Sequence, residues 1–168
     1  MSNALITRLV TLLLALSLGA CASGSYGPGP LAPGATSAEA IARMGQPTGV
    51  HPLAPDGKRL EFARGPMGLH TFMLDFDAGD RLVKIDQVLT ERHFLELQNG
   101  MTADEVRARI GRPGQITSLP RQRHQLWWYW YDTPFCIVWQ VSISDDDGKV
   151  AEMGHNSNPR CDGSRFGL

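Results

Sequence analysis

The stretch Gly100-Met-Thr-Ala-Asp-Glu-Val-Arg-Ala-Arg-Ile-Gly-Arg-Pro113 decides how the rest of the chain is read. It spells a short helix with both ends marked. Thr102 is placed to accept a hydrogen bond from an otherwise unpaired amide of the first turn. Glu105, three residues on, is placed to reach back and close a capping box. Val106 and Ile110, four apart, form one apolar stripe, while Arg107 and Arg109 point elsewhere. Gly111 supplies a left-handed C-terminal position and Pro113 prevents continuation. A helix this short does not persist alone in water, so it needs a surface to pack on.

The stretch occurs twice. Moved by 66 positions, Gly34-Ala-Thr-Ser-Ala-Glu-Ala-Ile-Ala-Arg-Met-Gly-Gln-Pro47 falls on it with seven matches in fourteen. The matches include the cap, the box and the stop signal, which marks an internal duplication of one supersecondary unit.

This Gly-Met-Thr…Glu-Val…Ile-Gly-x-Pro pattern, followed by an aromatic-rich β region, resembles the SmpA/OmlA (BamE-like) domain of small outer-membrane lipoproteins. The likeness is strongest over 91–153 and weaker over 34–89. It implies a short helical hairpin with a three-stranded meander, and the tandem copy resembles the arrangement of the beta-lactamase inhibitory proteins. The expected fold is therefore α+β, with two tandem ααβββ-type units forming one curved antiparallel sheet and short helices packed on one face. The first unit is placed at 34–89 and the second at 90–168, which includes a C-terminal tail.

A chain of 168 residues with formal net charge −1 has no polyanion-binding field, so nucleic acid is not an expected partner. Residues 1–20 read as a signal segment, with Arg8 preceding an apolar run of ten over 9–18. That run is too short to span a bilayer. It ends Leu18-Gly19-Ala20-Cys21, which resembles a bacterial lipobox. The resemblance implies cleavage before Cys21, its acylation and, since Ala22 rather than Asp follows, an outer-membrane address. Several acyl chains, at ~0.8 kcal/mol per buried methylene, make release slow. The competing reading is an ordinary signal peptide with a coincidental cysteine. Residues 21–33, rich in Gly, Ser and Pro, read as the lipidated cysteine and a flexible tether.

With Cys21 acylated, Cys136 and Cys161 remain, in a compartment where disulfides persist. A bridge between them would stabilise the fold by roughly 2–4 kcal/mol. Two unpaired thiols are the alternative.

Between the helices, alternation marks strands. Lys58–Arg64 has Leu60 and Phe62 on one face, Leu69–Phe76 has Phe72, Leu74 and Phe76, and Arg81–Leu89 has Val83 and Ile85. In the second half, Glu91–Gln98 reads as a short amphipathic helix, and the strands are Gln125–Asp132, Phe135–Ser144 and Lys149–Met153. The segments before Lys58 and Gln125 read as loops, and the chain from His155 reads as irregular.

Chemistry is sparse. Asp145–Gly148 lacks the spacing of a calcium loop, and the five histidines lack paired-ligand spacing, so no metal or cofactor is expected. No phosphate loop, serine elbow or close carboxylate pair appears, and no catalytic residue is assigned. The expectation is a non-enzymatic protein. The run Trp127-Trp-Tyr-Trp-Tyr131 is the candidate surface. The 66-residue displacement puts Leu126 and Trp128 on Leu60 and Phe62. That leaves Trp127, Tyr129 and Tyr131 on the opposite face, as partner-binding residues or as a second packed layer. The leading expectation is a protein-binding lipoprotein of the envelope or of barrel assembly. The alternative is an inhibitor or ligand-binding module using the aromatic sheet face.

Overall fold

The computed structural model describes residues 27–63 and 68–161. The signal segment, Cys21, the start of the expected tether and residues 162–168 lie outside the described residues.

Among the described residues three α-helices form: α1 (Ser37–Met44), α2 (Glu91–Phe94) and α3 (Ala103–Ile110). Both capping boxes close. The Thr36 hydroxyl accepts from the Glu39 amide at 3.2 Å while the Glu39 carboxylate accepts from the Thr36 amide at 2.7 Å. Thr102 and Glu105 repeat both bonds at the same lengths. The backbone bonds from Thr36 and Thr102 hold the two carboxyls below their ordinary pKa. α1 and α3 each stop on a glycine of positive φ, 84° at Gly45 and 80° at Gly111. Their amides donate back to the Ile41 and Arg107 carbonyls, both at 2.8 Å. α2 is a single turn, shorter than the expected Glu91–Gln98.

The α+β class holds, but the single curved sheet does not. The described residues form two antiparallel sheets in simple sequence order. Sheet one contains β1 (Gly49–Leu53), β2 (Gly57–Ala63), β3 (Thr71–Phe76) and β4 (Leu82–Gln87). Sheet two contains β5 (Gln115–Leu119), β6 (His124–Tyr129), β7 (Ile137–Ser144) and β8 (Val150–Ser157). Each has one strand more than the expected meander. The added strands, β1 and β5, are edge strands. Pro52 breaks the strand signature of β1, yet an edge strand tolerates the missing amide. β8 also runs two residues past His155, into the stretch expected to be irregular.

The elements stack as α1, sheet one, α2–α3 and sheet two. One face of sheet one, with Leu60, Phe62, Leu74 and Phe76, buries Ala40 and Met44 of α1. One face of sheet two, with Trp127, Tyr129, Trp139, Val141 and Ile143, packs on Phe94, Leu97, Val106 and Ile110. Met73, on the far face of sheet one, joins that second cluster, so α3 lies between the sheets.

The assignment of the aromatic faces is inverted relative to expectation. Trp127 and Tyr129 are each 1% exposed and Tyr131 is 5% exposed, whereas Trp128 is half-buried on the other face; Trp130, on that face too, is buried as expected. The cause is one extra residue in a hairpin. Leu53 pairs with Gly57, enclosing Ala54–Asp56, whereas Leu119 pairs with His124, enclosing Pro120–Arg123. Val50 pairs Leu60 and Ile116 pairs Trp127, so over β6 and β7 the copies are offset by 67 rather than 66. In a structure of period two, one residue reverses every side chain.

Two further expectations are corrected. The Cys136–Cys161 bridge is not formed, and Cys136 is an exposed thiol. The residue set opposite it is Asn158, whose amide donates to the Cys136 carbonyl at 2.9 Å, and a 3-10 turn (Pro159–Cys161) carries Cys161 past the end of the ladder. The tether is also shorter than 21–33. Leu31 packs on the α1 cluster, Arg43 Nε donates to the Pro28 carbonyl at 2.7 Å, and the Gly34 amide donates to Leu82 at 2.9 Å.

Candidate functional site

Two places where the units meet carry the polar chemistry. The first is a grip on the C-terminal turn of α3. Asp75 holds Arg59 through two bonds of 2.6 and 2.9 Å, and Arg59 Nη1 donates to the Ala108 carbonyl at 3.0 Å. Hydrogen bonding to Asp75 raises the Arg59 pKa against its burial. Glu61, 2% exposed, accepts from the Thr48 hydroxyl at 2.8 Å and the Arg112 amide at 3.1 Å, with His51 Nε2 also at 3.1 Å. The last carbonyls and the following amides of a helix have no intrahelical partner. These buried charges supply them, and so fix α3 onto sheet one.

Sequence alternation put Arg59 and Glu61 on a polar face, and polar faces are usually wet. Period two gives the face of a residue but says nothing of what covers it. The available signal was the base and acid of Arg59-Leu-Glu61 in β2 together with the single acid Asp75 inside the mostly apolar β3.

The second place is a cleft. The chain leaving β4 (Gln87–Glu91) and the chain leaving β6 (Tyr131–Phe135) line it together with His70, enclosing about 510 Å³. Gln87 pins one wall, accepting from the Leu89 amide at 2.7 Å and donating to its carbonyl at 3.2 Å. Tyr131 forms the floor, its ring edge-on to Phe94 at 5.1 Å and its hydroxyl 3.5 Å from Glu91. Burial, and then the Glu91 charge, push the phenol pKa up, despite a bond to Thr133 that favours ionisation. His155 stands 3.6 Å from the same carboxylate. Phe135 sits at the lip, 66% exposed, flanked by Asp132 and the Cys136 thiol.

Of the three expected contact residues, only Tyr131 reaches this cleft. Trp127 lies under the Arg107 guanidinium at 4.4 Å, a cation–π contact that ties sheet two to α3. The Tyr129 hydroxyl donates to the Gly111 carbonyl at 3.0 Å, and complete burial drives its pKa well above the ordinary phenol value. Both rings are parts of the core. The strand expected over Phe135–Ser144 begins only at Ile137, so Phe135 precedes it and is exposed.

The cleft offers an apolar lip and an acidic wall of Glu91 and Asp132. This suits an apolar side chain with a neighbouring cation. Among the described residues, no three potential ligands stand close enough to hold a metal ion.

No family model matches the chain, and no curated protein does. Among solved structures it is similar to a DUF4309 family protein from Bacillus subtilis, at 18% identity over 73% of this chain and 78% of that one, with a TM-score of 0.29. An extracellular protein containing a SCP domain from Bacillus anthracis gives 12% identity over 74% and 44%, with a TM-score of 0.28. A cysteine-rich secretory protein from Staphylococcus aureus gives 12% over 80% and 48%, with a TM-score of 0.29. The chain spans under half of the latter two. These overlaps are too loose to carry an argument about fold or function.

Proposed function

We propose that this protein is an outer-membrane-anchored periplasmic lipoprotein that acts by protein contact, as a scaffold in envelope maintenance or barrel assembly. The lipobox-like Leu18–Cys21 after a short apolar run supports the anchor, and the duplicated capped helix supports the SmpA/OmlA-like reading. The observation that carries the contact role is Phe135. A phenylalanine two-thirds exposed at the mouth of an acid-walled cleft between two packed units is poorly placed for stability and well placed for a partner. The inhibitor reading needs an aromatic sheet face, and the rings assigned to it point inward.

The test places a photo-crosslinking phenylalanine at position 135 in cells and, as a control, at Ile116 on the β5 edge. A discrete adduct is expected from 135 only, and Asp132→Lys should abolish it. Equal adducts from both positions, or none from 135, would remove the cleft from the argument. Separately, Cys21→Ser should lose fatty-acid label and outer-membrane fractionation. A variant that still takes up label would refute the anchor.

A further inference from the structure

The repeat leaves its two ends unequal. In the first half, the face of sheet one turned away from α1 is filled by the C-terminal turn of α3. The corresponding face of sheet two is formed by Leu126, Trp128, Gln140 and Ser142, which stand where sheet one has Arg59, Glu61, Met73 and Asp75. Among the described residues no α-helix lies on it; at one end the 3-10 turn brings Arg160 over the Trp130 ring at 3.5 Å, and Trp130 stacks on Trp128. Gln140 is only 8% exposed; its Oε1 accepts from Asn156 at 3.0 Å, while its Nε2 donates to nothing among the described residues. Opposite Gln140 in β8 is Gly154, around which an added Cβ would meet no atom within 4 Å. Gln140, Gly154 and Leu126 line a groove of about 240 Å³. A glycine inside a strand weakens it, and often marks a close approach by another backbone.

At the other end of the stack stands a matching element. Ala42-Arg-Met-Gly-Gln-Pro47 repeats the gripped turn Ala108-Arg-Ile-Gly-Arg-Pro113. The backbones coincide, with φ 84° and ψ −171° at Gly45 against 80° and −175° at Gly111. A Cβ on Gly111 would lie 2.7 Å from Thr71 Cγ2, whereas one on Gly45 would meet nothing within 4 Å. The Ala108 carbonyl is taken by Arg59. The Ala42 carbonyl takes no bond from outside its helix among the described residues. One turn has its carbonyl gripped by a sheet and its twin is held only from its own side, by Arg43 on Pro28; one sheet face takes a helix end, and its twin takes Arg160 at one end and leaves the groove at Gln140 and Gly154 unfilled.

We infer that the open face of sheet two receives the α1 turn of a second copy of this chain, reproducing the junction between α3 and sheet one in trans. Gln140 Nε2 donates to the Ala42 carbonyl, with Leu126 and Trp128 as the apolar rim. The contact is head to tail and does not close, so it extends the alternation of helix and sheet from molecule to molecule. It is weaker than the internal junction, because Leu126 and Ser142 replace the Arg59–Asp75 pair. The inference does not depend on membrane anchoring, although anchoring would raise the local concentration.

The test is sedimentation of the full mature chain carrying Cys21→Ser, from about 5 µM to about 500 µM, the range in which contacts of modest affinity form. The weight-average mass is expected to rise with concentration. Ala42→Arg removes the turn and Gly154→Arg blocks the groove, and each should weaken association at least tenfold. Both positions are open in the monomer, so both variants should keep the wild-type melting temperature within a few degrees. Mixed one to one, the two variants retain one good face each and should give a dimer and nothing larger. A monomer at every concentration, variants that associate like wild type, or a mixture that stays monomeric would each overturn the inference.

Discussion

Replacing Trp127 by Ala should harm stability far more than replacing Trp128, although the two are neighbours of the same type. Trp127 is 1% exposed, packs in the cluster that joins sheet two to α3, and carries the Arg107 guanidinium on its ring. Truncating such a ring removes its burial and leaves a cavity, costing about 3–5 kcal/mol. The lost cation–π contact adds about 0.5–1 kcal/mol. Trp128 is half-buried on the open face and donates one hydrogen bond to Thr117 at 3.1 Å. That bond is worth about 1 kcal/mol, and with part of the ring's burial the loss is about 1–2 kcal/mol. At about 2–4 °C per kcal/mol for a protein of this size, the melting temperatures should separate by several degrees. Urea unfolding of wild type, Trp127→Ala and Trp128→Ala supplies the comparison, with equal slopes needed before midpoints are compared. If Trp128→Ala falls as far as Trp127→Ala, the one-residue offset between β5 and β6 is wrong, and with it the assignment of both faces.

The two helix-ending glycines should respond unequally. Gly45→Ala should cost about 1 kcal/mol from positive φ alone, whereas Gly111→Ala adds a steric conflict with Thr71 and should lose about 1–3 kcal/mol more; equal melting temperatures would refute the junction packing. Acid should destabilise the fold below about pH 4, since unfolded Asp and Glu titrate at about 3.9 and 4.3. The carboxyls of Glu39 and Glu105 are lowered by their Thr36 and Thr102 bonds; Asp86 is lowered by Lys84 and His93 against a burial that opposes its charge. Groups with depressed folded pKa lend stability that is whole above their unfolded values and is lost as pH falls through the folded ones. Equal melting temperatures at pH 6 and pH 3 would count against these bonds.

What could be read from the sequence was local. A threonine, a glutamate three residues on and a closing glycine specify a helix without reference to anything distant, and both copies formed as written. The face of Trp127 was not local. It depended on whether four residues or three cross between β5 and β6, and the loop Pro120–Arg123 carries no sign that one of its members is extra. The edge strands were hidden for a related reason. β1 and β5 pair with one neighbour each, bury little, and so carry no alternation to betray them. The cleft escaped because its lip, Phe135, begins an alternating run and was counted with it, although the ladder opens only at Ile137.

The charged grip explains why the duplication diverged where it did. Taking Arg59, Asp75 and Glu61 out of water is expensive, and buried pairs are rarely retained for stability alone. Here each has a task that an apolar side chain lacks. Arg59 satisfies a helix-end carbonyl and Glu61 an amide beyond it, groups that must otherwise be left unpaired between two sheets. Among the described residues the second copy has no α-helix on the matching face, and there the three positions are Leu126, Ser142 and Trp128, none charged. If that face were simply wet, charged side chains would serve well on it. A leucine and a tryptophan are better suited to meeting another chain than to facing water, and the Gln140 amide beside them keeps a donor free for a backbone that arrives at this end of the stack.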